Sequence, residues 1–144
     1  MKYTNQIDIN QPVEKVVALM ENPEYMKEWQ PGFISMERLS GNPGAPGAKS
    51  KLKYKMGRRN IELVETILHS NLPHELHVTY ETRGVFNTQH NFFTALSDHQ
   101  TRWVAETDFR FSGFMKILGW LMPGAFKKQS QQYLDLFKAF AEKQ

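Results

Sequence analysis

The feature that most constrains this chain is a single change of hydrophobic period. From Phe33 to Phe111 apolar residues recur with period two in short runs separated by turns. After Met122 the spacing becomes helical, with Phe126, Ser130, Tyr133, Phe137 and Phe140 falling four and three residues apart. Six strands followed by one helix with a broad apolar face leave few ways to bury that face. The runs are Phe33–Leu39, Lys49–Met56, Ile61–His69, Glu75–Thr82, Val85–Leu96 and Thr101–Phe111. Their connections are short, such as Gly57–Asn60, Asn71–Pro73 and Ser97–Gln100, so the strands pair antiparallel, because parallel pairing needs long crossovers.

A seventh strand lies at the start. Tyr3, Asn5, Ile7 and Ile9 alternate with Thr4, Gln6 and Asp8. Pro12 is expected at a first helical position with Glu14 as a capping-box partner, and Val13, Val16, Val17 and Met20 carry that helix to about Glu21. Asn22-Pro23-Glu24 starts a second helix, with Tyr25, Met26 and Trp29 as its stripe, and Pro31-Gly32 ends it. Between the last strand and the long helix, Phe114–Met122 is apolar all round and is followed by Pro123-Gly124, which predicts a short helix and a bend. The expectation is one α+β domain over residues 1–144, with a curved antiparallel sheet of about seven strands around a long C-terminal helix. Such a sheet leaves a gap beneath its helix.

Composition narrows the chemistry. With no cysteine, disulfides, Cys-based zinc motifs and thiol nucleophiles are excluded. No stretch reaches the roughly 20 apolar residues of a membrane span, and the N-terminal residues carry no apolar core of a secretory signal, so a cytoplasmic location is expected. A net charge of +3 does not point to nucleic acid. Ten Phe, five Tyr and three Trp suit an aromatic-lined cavity.

The chain resembles the polyketide cyclase/dehydrase and lipid-transport family of the START-like superfamily. The likeness lies in the order of several loose motifs. They are the first strand entering Pro12-Val13-Glu14-Lys15-Val16, then Asn22-Pro23 through Trp29-Gln30-Pro31-Gly32, then Thr101-Arg102-Trp103, and last Leu118-Gly119-Trp120-Leu121-Met122 before a Lys/Gln-rich helix. The resemblance implies a helix-grip fold with a deep cavity between sheet and last helix. Members bind lipids, sterols, polyketides or hormones, or serve as co-chaperone modules, so the family does not fix one activity.

The expected cavity lining follows from strand parity. Trp103, Ala105, Thr107, Phe109 and Phe111 share one face of the last strand, and Leu76, Val78 and Tyr80 share one face of a middle strand. Phe126, Ser130, Tyr133 and Phe137 close the cavity from the helix. Tyr80, Thr107, Ser130 and Tyr133 supply polar points in an otherwise apolar site. His90, on the face with Thr88 and Phe92, is the one histidine placed to share the lumen, and a slip of one residue would turn it outward. His74 and His77 fall on opposite faces and no zinc pattern appears. Glu106 and Asp108 alternate with Arg102 and Arg110, the mark of cross-strand ion pairs, and Glu62 and Glu65 face opposite ways.

Lys49, Lys51, Lys53 and Lys55 form a basic strip, read as a solvated strand face that deters edge aggregation. Trp120, Met115 and Met122 beside the Pro-Gly break suggest a lid over ligand entry, with transient membrane contact as a further option. The leading expectation is a cofactor-free carrier of a hydrophobic or amphipathic small molecule. Its rivals are a cyclase or dehydratase using His90, Tyr80 or Tyr133 for proton transfer, and a co-chaperone-like interaction module. An apolar patch left exposed on the folded protein would mark the last of these. Ligand identity and oligomeric state are not encoded in any motif.

Overall fold

In the computed structural model, which describes residues Met1–Gln144, the chain crosses its sheet once and then walks back. Strand β1 (Lys2–Ile9) is followed by α1 (Val13–Glu21), a 3-10 turn (Pro23–Tyr25) and α2 (Met26–Trp29). These helices carry the chain to the far edge. A meander then returns through β2 (Phe33–Ser40), β3 (Lys49–Met56), β4 (Arg59–Asn71), β5 (Glu75–Thr82), β6 (Val85–Ser97) and β7 (Gln100–Phe111). The sheet is antiparallel with spatial order β1-β7-β6-β5-β4-β3-β2. Helix α3 (Met115–Leu121) and the long α4 (Pro123–Ala141) complete the α+β helix-grip architecture.

Local chemistry explains the boundaries. The Asn22 side chain accepts a hydrogen bond from the Glu24 backbone N–H at 3.0 Å, as its position before Pro23 predicts. The expected capping box at α1 does not form. Pro12 takes the N-cap position itself, and a proline has no backbone N–H for Glu14 to reach. Register shifts in the β2–β3, β4–β5 and β6–β7 ladders add the bulges that curve the sheet.

Helix α4 is tied to one side of the concave face. Asn5 Nδ2 donates to the Lys127 carbonyl at 3.2 Å and to Gln131 Oε1 at 3.0 Å. Ser130 Oγ lies 2.6 Å from the Tyr3 hydroxyl, and Lys138 donates to the Asp8 carbonyl. The contacts of α4 concentrate on β1, with lesser ones to α1 and α2. Beneath its C-terminal half lies the main core, where Ile9, Val16, Trp29, Phe93, Leu134 and Phe137 pack together. A smaller cluster of Met26, Leu52 and Tyr54 sits under α2 on the other side. Between the two lies the concave surface of β4 and β5, to which no helix makes more than slight contact.

Candidate functional site

The antiparallel register lines up the inward side chains in rows across the sheet. One row runs Ser50, Glu65, Tyr80, Asn87 and Phe109 through β3, β4, β5, β6 and β7. The next runs Ile67, Val78, Gln89, Thr107 and Tyr3. The parity is fixed at the core end, where Trp103 from β7 stacks on Phe93 from β6 with ring centroids 6.0 Å apart. Trp103 Nε1 donates to Asn91 Oδ1 at 2.9 Å, so odd residues of β6 must point inward.

That parity corrects one expectation. His90 and Phe92 lie on the convex face, not in the lumen. His90 is the register partner of Glu106 and of His77, and its ring stacks on His77 at 4.2 Å. Phe92 meets His77 edge-on at 5.4 Å. Both apolar parities are available at Phe92-Phe93, and the fit of Phe93 and Asn91 around Trp103 decides between them. His69 joins the same convex cluster, 5.4 Å from His77, but no group of three or more His, Asp or Glu is arranged to hold a metal ion.

Apart from Trp120, the other expected lining residues face the interior, in two distinct settings. Trp103, Ala105 and Phe137 are solid core rather than cavity wall. Phe137 is fully buried, edge-on to Trp29 at 5.0 Å and to Trp103 at 5.7 Å. Leu76 packs against the same core, and Val78 and Thr107 are buried. Phe109 and Phe111 stack on each other at 5.7 Å and both meet Phe126 at the start of α4. Ser130 is engaged by Tyr3. Trp120 points away from the interior and is 81% exposed.

The open part centres on Glu65, Tyr80, Asn87 and Tyr133. Each keeps some accessible surface. Yet burial raises the pKa of the Glu65 carboxyl, and the Tyr80 hydroxyl offsets only part of that rise. Burial pushes Tyr80 well above the ordinary phenol value, with Glu65 and Tyr54 adding to the shift. Burial alone raises Tyr133, and Tyr54, which donates to Gln30 Oε1, is raised chiefly by burial. These groups combine a desolvated setting with residual accessible surface. Asn87 Oδ1 and Thr107 Oγ1 are buried in the same rows without a hydrogen-bond partner; Thr107 Oγ1 lies near the Tyr3 hydroxyl but not in bonding geometry.

Sequence reasoning placed Tyr80, Thr107 and Tyr133 here and missed Glu65 and Asn87. Asn87 could have been found by carrying the register from Tyr80 across the β5–β6 turn, but the bulge between Ile67 and His69 shifts the β4–β5 register by one, so the turn alone would set Thr66 opposite Tyr80. The turn length holds the signal for Asn87, and a bulge hides it for Glu65.

This architecture has many solved counterparts. The family model for polyketide cyclase/dehydrase and lipid transport matches residues 1–142. The chain belongs to that family. No curated protein matches the sequence. Among solved structures, a conserved protein from Geobacillus kaustophilus superposes with a TM-score of 0.80 at 18% identity, covering 99% of this chain and 96% of that one. The Zhui aromatase/cyclase from a Streptomyces species gives 0.78 at 14% identity, covering 99% and 93%. A START superfamily protein from Mycobacterium smegmatis gives 0.77 at 11% identity, covering 99% and 97%. At these identities the likeness establishes the START-like fold. Together with membership of the polyketide cyclase/dehydrase and lipid transport family, it supports a cavity for a hydrophobic ligand.

Proposed function

We propose that the protein binds a hydrophobic or amphipathic small molecule between α4 and the β3–β6 part of the sheet, with a carbonyl or hydroxyl group of the ligand held at the Glu65–Tyr80 row. The observation that carries this reading is the row itself: Ser50, Glu65, Tyr80 and Asn87 side by side on the concave face. Apolar surroundings supply affinity, and a few placed polar groups supply orientation. Burial raises the Glu65 pKa, so this carboxyl keeps its proton to higher pH than an exposed one and, while protonated, can donate a hydrogen bond, as can the tyrosine hydroxyls. A purely hydrocarbon ligand would leave all of them unmatched. Native mass spectrometry of the purified protein, with extraction of anything retained, tests the reading. A co-purified molecule bearing an oxygen function, retained less by Glu65→Leu than by wild type, is expected. A wild-type protein that carries no ligand and takes up no hydrophobic probe contradicts it.

One observation favours a catalytic variant of the same site. Glu65 lies opposite Tyr80 on the concave face, and burial raises its pKa, so it is placed to exchange a proton with a bound molecule. In this second reading a β-hydroxy carbonyl compound loses water. Glu65 gives its proton to the departing hydroxyl as the C–O bond breaks, then takes the proton from the α-carbon as the C=C bond forms, and so ends protonated as it began. Tyr80 and Tyr133 hydrogen-bond the carbonyl oxygen. Absorbance at the enone band on adding a β-hydroxy ketone separates the two readings. Turnover abolished by Glu65→Gln supports catalysis, and binding without turnover supports carriage.

A further inference from the structure

Helix α3 turns its apolar side to solvent. Phe114, Ile117, Trp120 and Leu121 recur along one face, and all are exposed, Phe114 by 76% and Trp120 by 81%. The opposite face holds the helix down. A Cβ on Gly119 would come within 2.5 Å of the Phe111 ring, and one on Gly84 within 2.7 Å of Met115 Cγ, so both contacts need glycine. Met122, at the bend into α4, is exposed as well. Contiguous apolar exposure of this kind marks an interaction surface.

The charges around it select the partner. From Phe109 to Leu134 the chain has Arg110, Lys116, Lys127 and Lys128 and no Asp or Glu. Lys116, Lys127 and Lys128 are exposed. The nearest acid on β7, Asp108, is flanked by the N-terminal ammonium at 3.9 Å and Arg110 at 3.7 Å. A surface pocket of about 350 Å³ opens beside Trp120, lined by Phe111, Arg110 and Lys116 among others, apolar and cationic together. The basic strip on β3 is different. Lys53 meets Glu62 at 3.7 Å, Lys51 is the register partner of Glu37, and Lys49 donates to Thr66.

We propose that α3 and the first turns of α4 dock the protein on an anionic lipid surface. Phe114, Ile117, Trp120 and Leu121 enter the headgroup region, and Lys116, Lys127, Lys128 and Arg110 meet lipid phosphates. An apolar helix face rimmed by basic residues is the pattern of interfacial helices, and tryptophan suits the level of the headgroups. Neither α3 nor α4 is long and apolar enough to cross the bilayer, so the protein lies on the surface. Docking there places the membrane next to the Phe109–Phe111–Phe126 end of the interior.

The test is co-sedimentation with phosphatidylcholine vesicles, with and without phosphatidylserine, read together with tryptophan emission. Trp29 and Trp103 are buried, so quenching by acrylamide reports Trp120. Binding to the anionic vesicles is expected, with blue-shifted emission and protection of Trp120 from quenching. Leu121→Glu should weaken it at least about tenfold, as should the double substitution Lys127→Glu, Lys128→Glu. Ile117→Glu serves as an independent variant, and circular dichroism confirms that each is folded. No vesicle binding, equal binding to neutral vesicles, or binding unchanged by these substitutions overturns the proposal. So does an emission shift that follows protein concentration without vesicles, which would assign the face to a second copy of the chain.

Discussion

Glu65 and Tyr80 stand directly opposite each other across the β4–β5 ladder, both facing the concave side of the sheet. The pairing puts a carboxyl group beside a phenol in a setting poor in water, where ionising either is costly. A packed core would place apolar residues at both positions. This arrangement leaves hydrogen-bonding groups on the concave face between the two apolar clusters.

The Glu65 carboxyl makes stability depend on pH with a definite sign. Its folded pKa is raised above the reference of 4.5, so the folded state holds the proton more tightly than the unfolded chain. That contribution is fully present below the unfolded value and is lost as pH rises through the folded one. Glu65→Gln, neutral at every pH, should not show this loss. Urea unfolding across the acid-to-neutral range is expected to give a stability difference that moves in favour of Glu65→Gln as pH rises. Parallel curves would contradict the burial of this group.

The convex face has the opposite response. Burial lowers the pKa of His77, with the His90 ring at 4.2 Å and His69 at 5.4 Å adding to the effect, while Glu75 and Glu106 oppose it. Stability from a depressed histidine is present above its unfolded value near 6.5 and is lost as pH falls through the folded one. His77→Gln should flatten the acid limb of the stability profile between neutral pH and the onset of carboxylate protonation, followed by thermal melts. Ligand binding inside should be unaffected.

Both parities were open at Phe92-Phe93, and what settles them is tertiary. The alternation of Thr101–Phe111, the break at Pro123 and the Asn22 cap were all legible, because each rests on local chemistry. His90 was placed on the wrong face because two adjacent phenylalanines satisfy either side of a sheet, and only the Trp103–Asn91 bond chooses. The sequence weighs Glu65 only against Glu62, which faces the other way, whereas its meaning comes from Tyr80 on β5, and apolar residues on both faces of β4 hide which way it points. Trp103 and Phe137 were correctly read as inward. Whether an inward aromatic fills space or borders it depends on where α4 sits, and its hydrogen bonds to β1 decide that.

The core end should be the stability centre. Phe137→Ala removes a fully buried ring between two tryptophans and should cost about 3–5 kcal/mol, lowering Tm by on the order of 10 °C. Asn91→Ala leaves the Trp103 indole N–H unpaired and should cost about 1–3 kcal/mol. Differential scanning calorimetry measures both.

Helix α3 should detach separately. Gly119→Leu drives a side chain into the Phe111 ring, so the Ser112–Ala125 segment should become more sensitive to limited proteolysis while the main transition in a melt hardly moves. A large fall in Tm would mean that α3 is part of the global folding unit.

Amide chemical-shift mapping on titration with anilinonaphthalene sulfonate, a hydrophobic probe with a polar end, tests the central claim most directly. Shifts should cluster at Glu65, Tyr80, Asn87 and Gln89 on the sheet and at Tyr133 on α4, and Glu65→Leu should weaken binding. Shifts confined to the outer face of α3, or to His77 and His90 on the convex face, would contradict it.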